Sequence, residues 1–431
     1  MNEYDSNRIL DFTKKINYLP TENLSETNCY ILNTCHIREK ATEKVYHEIG
    51  RLKKTFRNRI KPIVLIAGCV AQAEGDIILK KEKYIDAVIG PQSYHQINEI
   101  LLKLEKKSNK INSTEFDVIE KFDTLNSTFN SNNKISSFLT IQEGCDKFCK
   151  FCVVPYTRGT EFSRSLKELV SEARQLVENG AKEITLLGQN VNAYNFKKKR
   201  LSDLILEIAK IKDLKRIRYT TSHPTDFTDD LVEVHKNCEK LMPLIHLPVQ
   251  SGSNKILQEM NRKHTIEEYL TIIAKVKKVK QNVQFSSDFI IGYPGETHDD
   301  FKKTIELLNS VKFINSYSFI YSARPGTPAF NLTNINHDDA KKRLMDFQQT
   351  AEKIKTTYRN NLINKISKVL FENKTKNEKK YFGRDEYFNS VIVKSENNLI
   401  GKIENIKILE INQNTLFGKV ISNFDQKNHA A

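Results

Sequence analysis

Apolar positions along this chain change period from segment to segment. Ala41, Val45, Ile49 and Leu52 recur at steps of four, four and three, the spacing of one helix face. Short apolar runs flank that helix. Residues 28–33, with Cys-Tyr-Ile-Leu at their centre, read as a strand, and residues 62–67 (Pro-Ile-Val-Leu-Ile-Ala) as a buried parallel strand followed by a helix. Residues 7–16 read as helix and 85–89 as a further strand. This alternation over 1–104 predicts a doubly wound α/β domain. Residues 105–135 are rich in Lys, Asn, Ser and Thr and weakly periodic, so they read as a connector with one edge strand near 116–119.

From 136 to about 325 the pattern repeats as strand then helix. Strands are expected over 138–141, 183–187, 217–221, 244–247, 283–291 and 316–321, with helices such as 165–179 and 266–279 between them. Six βα units are too few for a closed eight-unit barrel and predict an open, partial (βα)6 barrel, whose chemistry lies at the C-terminal strand ends. A long amphipathic helix over about 337–364 follows. Short alternating runs at 367–372, 390–393, 401–411 and 416–422 then predict a small β-barrel, either a grip for RNA or a structural cap. The expected divisions are 1–104, a connector at 105–130, a core at 131–362 and the small barrel at 363–426.

Charge adds an anionic partner to this picture. The net charge is +15 over 431 residues, a balance that favours nucleic acid, although a chain rich in Lys and Asn throughout also reflects AT-rich coding. No run of 18 apolar residues predicts a transmembrane helix, and the opening Met-Asn-Glu-Tyr-Asp-Ser is not a signal peptide. Seven unevenly spaced cysteines fit a reduced cytosol with metal chemistry better than a disulfide framework.

The sharpest chemical feature is Cys145, Cys149 and Cys152, a CxxxCxxC run on the loop after the first barrel strand. Thiolates hold iron–sulfur clusters, and three ligands leave one iron of a 4Fe–4S cube open to a small molecule. Zinc is the competing reading, but a structural zinc wants four ligands and no second pair lies nearby. Cys35 and Cys69 each follow a strand and open a helix, so both belong at one sheet edge, where a helix N-terminus favours thiolate. They suggest a second metal site, with buried structural cysteine as the alternative. Cys29 stands six residues before Cys35, roughly 20 Å away in extended chain, and reads as core, as does Cys238. A doubly wound unit normally opens on a strand, whereas this chain opens on a helix. The expectation is that a first strand and a third cysteine lie upstream of Met1.

Glycines and polar residues close successive barrel strands: Gly188-Gln189-Asn190, Gln250-Ser251-Gly252-Ser253, and Asp288 to Gly292. Singly each is a turn; together they favour a nucleoside-bearing cofactor held by Gly188, Gln189, Asn190, Gln250, Ser251, Asp288 and Gly292. Arg158, Arg164 and Arg324 are candidates for phosphate or cofactor contacts, or simply solvated surface.

The CxxxCxxC run resembles that of radical S-adenosylmethionine (SAM) enzymes. Residues 33–41 (NTCHIREKA), 68–72 (GCVAQ), 152–159 (CVVPYTRG), 187–192 (LGQNVN), 246–253 (HLPVQSGS) and 322–328 (SARPGTP) look like MiaB-type tRNA methylthiotransferases, and the likeness spans nearly the whole chain. The resemblance implies an N-terminal cluster-binding domain, a radical-SAM barrel and a C-terminal TRAM domain that binds RNA. It implies two 4Fe–4S clusters, Cys145, Cys149 and Cys152 matching one set and Cys35 and Cys69 the last two of the other, whose first cysteine would sit just before Met1. It implies SAM cleavage to a radical that attacks carbon 2 of N6-isopentenyladenosine next to the anticodon, with sulfur from the second cluster; no catalytic side chain is assigned beyond the cluster ligands. The implied partners are the tRNA anticodon loop and an electron donor such as flavodoxin or ferredoxin, for a cytoplasmic monomer off the membrane. Related enzymes acting on threonylcarbamoyladenosine or on a ribosomal protein, and a non-catalytic Fe–S RNA-binding protein, are the alternatives.

Overall fold

The computed structural model of the chain describes residues 1–35, 39–106, 109–115, 134–376 and 379–421, with backbone alone at 39–42. They form two compact units. The first gathers Met1–Ser131, Gln142–Arg164 and Ser322–Asn331; the second gathers Asn132–Ile141, Ser165–Tyr321 and Leu332–Ala431.

The first unit is built on four parallel strands in the order β1 (Cys29–Thr34), β2 (Ile63–Gly68), β3 (Ala87–Ile89), β4 (Ile111–Ser113). Side chains alternate across a strand, so β2 feeds two cores. Val64 and Ile66 pack with Val45, Ile49 and Leu52 of helix Glu39–Thr55. Leu65 and Ala67 pack with Ile9 and Phe12 of helix Asn2–Lys14. Coverage on both faces explains why β2 reads as an unbroken apolar run. β4 lies inside the expected connector; three residues, Ile-Asn-Ser, are too short to show a period. The edge strand expected near 116–119 lies outside the described residues.

The second unit holds the six expected strands in two parallel three-stranded sheets: β5 (Ser136–Thr140), β6 (Glu183–Leu187) and β7 (Arg216–Thr220), then β8 (Leu244–His246), β9 (Gln284–Ile291) and β10 (Asn315–Ile320). One face buries Leu139, Ile184, Leu186, Ile217, Tyr219, Ile245, Phe285 and Phe289. The alternate positions include polar and amphipathic side chains, Thr185, Arg216, Arg218, His246, Ser286, Asp288 and Tyr317. Helix Ile266–Val279 starts on a capping box in which Thr265 and Glu268 satisfy each other's backbone amides. Helix His337–Asn360 packs Phe347 on Phe289, ring centroids 4.7 Å apart.

The chain ends in a closed five-stranded barrel, order β11 (Ile366–Lys374), β12 (Lys380–Asp385), β13 (Ser390–Lys394), β15 (Thr415–Val420), β14 (Ile403–Ile411). β12 escapes sequence reading because its inward positions are Tyr381, Gly383 and Asp385, not an apolar series. A Cβ at Gly383 would stand 2.4 Å from the Leu370 carbonyl oxygen, so the crossing admits only glycine. The barrel is docked by backbone. Arg216 donates to the carbonyls of Arg384 (2.9 Å) and Lys368 (2.8 Å), and Arg218 to those of Glu386 (2.9 Å) and Asp385 (2.8 Å). No described helix is long and apolar enough to cross a membrane.

Candidate functional site

The cysteine loop is clipped at its base. Gln142–Glu143 pairs antiparallel with Phe162–Ser163. Gly144 follows at φ +76°, and a Cβ there would fall 1.8 Å from the Thr160 carbonyl oxygen. Only glycine allows this approach. The Cys145 amide donates to the Gly159 carbonyl (3.2 Å). Asp146 and Glu161 cross-bond, each amide donating to the other's carboxylate at 3.3 and 3.1 Å. The Cys152 amide then closes a turn on the Cys149 carbonyl (2.9 Å), and helix Val154–Arg158 begins.

Burial pushes the Cys145 thiol up to about 12, with Glu161 and Cys149 adding to the rise against the Lys147 amide. Cys149 is buried and Cys152 half-buried. Among the described residues no three His, Cys, Asp or Glu side chains stand in a ready-made metal cage. The fit of this loop to a cluster rests on its donors: three soft thiol sulfurs within eight residues suit iron–sulfur and not a hard cation.

Cys35 and Cys69 leave adjacent strand ends, as expected, because Thr34 and Gly68 are register partners on β1 and β2. Gly68 sits at φ +94°, where a Cβ would meet the Thr34 carbonyl oxygen at 2.3 Å. Cys69 is the first residue of helix Cys69–Lys81. Cys29 begins β1 at the opposite end from Thr34, and burial pushes its thiol up to about 12. Cys238 is buried at the end of helix Asp229–Asn237. None of the seven cysteines forms a disulfide.

Arg158 corrects the expectation of a solvated surface side chain. It is 2% exposed. Its Nε donates to Cys69 Sγ (3.3 Å), its Nη2 to Asp5 Oδ2 (2.7 Å), and its Nη1 lies 3.5 Å from Glu143 Oε2. Burial alone would lower its pKa, but Asp5, Cys69 and Glu143 outweigh it and hold the guanidinium well above its ordinary value. Its carbonyl accepts from Gln92 Nε2 (2.6 Å). Arg164 and Arg324 are buried as well, so none of the three is a solvated surface group. No sequence signal marks Arg158 as a hub, because Asp5 and Cys69 stand 153 and 89 residues away.

The expected cofactor residues divide. Gly188, Gln189 and Asn190 follow β6, with Asn190 buried and its Nδ2 on Asp226 Oδ2 (2.7 Å). Gln250, after β8, is left-handed at φ +79° and bonded on both sides to β9: its amide to the Asp288 carbonyl (3.0 Å), its carbonyl to the Ile290 amide (3.0 Å). Thr221, after β7, is left-handed too, at φ +71°. Two successive strand ends thus carry left-handed non-glycine backbone. Ser251 is turned inward, its hydroxyl on Thr304 Oγ1 (3.5 Å) and accepting from the Ser253 amide (3.2 Å). Gly292 sits at φ +72°, and a Cβ there would press on Ala340 at 2.9 Å. Asp288 lies mid-strand beside His246, Nε2 to Oδ2 3.5 Å. His246, which opens the 246–253 run, and Tyr317, which the sequence marks only by its place in a strand, stand beside Asp288 and are not among the expected cofactor residues.

Three family models match the chain: "Radical SAM superfamily" over residues 139–308, "Uncharacterized protein family UPF0004" over 1–90 and "TRAM domain" over 362–421. A Pelagibacter ubique protein called tRNA-2-methylthio-N(6)-dimethylallyladenosine synthase is 58% identical, over 99% of this chain and 97% of its own. A Wolbachia pipientis protein of the same name is 47% identical, over 97% of each chain. Among solved structures, the radical S-adenosylmethionine methyltransferase TsrM from Kitasatospora setae superposes with a TM-score of 0.58 at 11% identity, over 77% of this chain and 74% of its own, a likeness of fold.

Proposed function

The chain belongs to the radical-SAM tRNA methylthiotransferases, and we propose that it converts N6-dimethylallyladenosine beside the anticodon of tRNA into its 2-methylthio derivative. It is a transferase of the radical-SAM type, with a 4Fe–4S cluster, SAM and a tRNA substrate, and it carries a TRAM domain. The observation that most supports the reading is that the first unit carries both thiol sites, the CxxxCxxC loop and the Cys35–Cys69 strand ends, with Arg158 touching Cys69 from a helix two residues beyond Cys152.

Cys145, Cys149 and Cys152 would hold the SAM-binding cluster, and Cys35 and Cys69 would supply thiols to a second 4Fe–4S cluster. When bound, these groups and SAM supply the radical, the sulfur and the methyl group. The residues of the chain bind, orient and shield. Gly188, Gln189, Asn190, Gln250 and Gly292 offer backbone amides and carboxamides at successive strand ends, the chemistry that grips ribose, amino and carboxylate groups. Ser251 shapes that edge from behind, through Thr304. Arg158 keeps the Cys69 sulfur in place while two carboxylates balance its charge. The basic small barrel grips the RNA backbone, and anticodon-loop bases, unstacked more readily than paired ones, can be splayed out for reaction. The protein works as a cytoplasmic monomer with a flavodoxin or ferredoxin as electron donor.

The test is complementation of a bacterial strain lacking this activity, followed by mass spectrometry of its tRNA nucleosides. Appearance of 2-methylthio-N6-dimethylallyladenosine is expected. Persistence of the unthiolated nucleoside, or methylthio groups found only on threonylcarbamoyladenosine, overturns the reading.

A further inference from the structure

The second unit carries a row of polar side chains that strand-end binding of SAM leaves unused. His246 on β8 and Ser286 on β9 are register partners, and Asp288 on β9 pairs with Tyr317 on β10. Their neighbours Ile245, Phe285 and Phe289 point into the hydrophobic core, so the row occupies the opposite strand face. His246 is held from two sides: Nδ1 stands 3.0 Å from Ser286 Oγ and Nε2 3.5 Å from Asp288 Oδ2. Its ring meets the Tyr317 ring edge-on, centroids 5.9 Å apart.

Exposure separates two members of this row, Asp288 and Tyr317, from a structural cluster, while Ser286 is buried behind them. The Asp288 side chain is 33% exposed, and Tyr317 is 51% exposed. Other polar groups on the same face, such as Glu183, Arg216 and Arg218, are closed over by their partners. A strand tyrosine that keeps half its surface open, beside an open carboxylate and on a rigid sheet, presents a flat stacking surface next to a hydrogen-bond acceptor.

We infer that this row seats the target adenine: the Tyr317 ring stacks on the base, the Asp288 carboxylate accepts the N6–H, and His246 positions Asp288. The inference rests on the functional reading above. An ionised carboxylate accepts hydrogen bonds and donates none. An N6-monoalkyl adenine keeps one N–H for it; an N6,N6-dialkyl adenine has none, and guanine presents an oxygen there. The seat therefore accepts a base carrying a single N6 substituent and rejects one carrying two.

The test uses the full chain with clusters reconstituted and anticodon stem-loop RNAs bearing N6-dimethylallyladenosine, N6,N6-dimethyladenosine or adenosine at the target position. Wild-type protein should bind the dimethylallyl RNA about tenfold more tightly than the N6,N6-dimethyl RNA, and Asp288→Ala should bring that ratio near one. Tyr317→Leu should raise KM for the RNA about tenfold while KM for SAM moves less than about twofold, and Tyr317→Phe should restore the RNA value. An Asp288→Ala protein that keeps the wild-type ratio overturns the seat, as does a Tyr317→Leu protein in which KM for SAM rises as much as KM for RNA. Wild-type protein that modifies none of the RNAs and binds all three alike overturns the functional reading, and the seat with it.

Discussion

Each unit buries arginine in a charge cluster, and the two clusters are built on opposite plans. In the first, Arg158 is met by side chains alone: Asp5, Glu143 and the Cys69 sulfur. In the second, Arg216 and Arg218 give their terminal nitrogens to four main-chain carbonyls and share one carboxylate, Glu183, at 3.9 and 3.0 Å. The electrostatic outcome differs accordingly. Arg158 is held well above its ordinary pKa, whereas burial lowers that of Arg216, Arg218 lowers it further, and Glu183 offsets only part of this. Anionic side chains create a strong, adjustable field; neutral carbonyls create a joint. The first plan suits a site where a thiol sulfur must be held, the second a place where one domain is fastened to another.

The comparison predicts unequal responses to losing one member. Arg158→Leu takes the buried guanidinium away from two buried carboxylates and should cost about 3–5 kcal/mol, read as a fall in the urea midpoint of the iron-free chain. Arg158→Lys should recover part of this, since it restores the charge without the fork. Glu183→Gln leaves both arginines with their carbonyl partners and should cost less, about 1–3 kcal/mol by the same measurement. A Glu183→Gln loss equal to that of Arg158→Leu would erase the distinction.

A third measurement asks which groups make the second unit acid-sensitive. Burial lowers the His235 pKa from 6.5 to about 3, with Lys280 adding to the shift, and its Nε2 lies 2.6 Å from the Tyr219 hydroxyl. The folded value lies below the unfolded one, so the unfolded chain takes up the proton first. The contribution of this histidine is complete above about pH 6.5 and declines as pH falls toward 3. The slope is at most about 1.4 kcal/mol per pH unit for one proton, and His235→Gln should flatten it in an acid titration of amide exchange. The smallest effect belongs to Lys210→Ala, which removes an exposed 2.7 Å pair with Glu207 and should shift stability by less than about 0.5 kcal/mol.

Much of this architecture is legible along the chain, and the illegible parts share a cause. The six strands of the second unit appear where apolar runs alternate with amphipathic helices, because each strand buries one face on a continuous core. The cysteine triplet is legible because its chemistry is local. β4 and β12 are not: one is three residues long, and the other turns a glycine and an aspartate inward. Arg158 reads as an ordinary member of Tyr156-Thr157-Arg158-Gly159, since the partners that bury it lie on distant segments. The same holds for Tyr317, whose companions on β8 and β9 only the register brings alongside.

The four carbonyls that receive Arg216 and Arg218 have a further consequence, for how this chain can diverge. A main-chain oxygen is the same whichever amino acid carries it. Positions 368, 384 and 386 can change side chain and still present the same acceptors, while the buried Asp385 carboxylate, accepting from the Tyr387 and Asn389 amides, holds the backbone path. Exposed lysines on the small barrel can therefore drift as the tRNA repertoire drifts, with no compensating change at the joint. The arginine pair works as a universal coupling, so the small barrel and its mount can evolve on separate clocks.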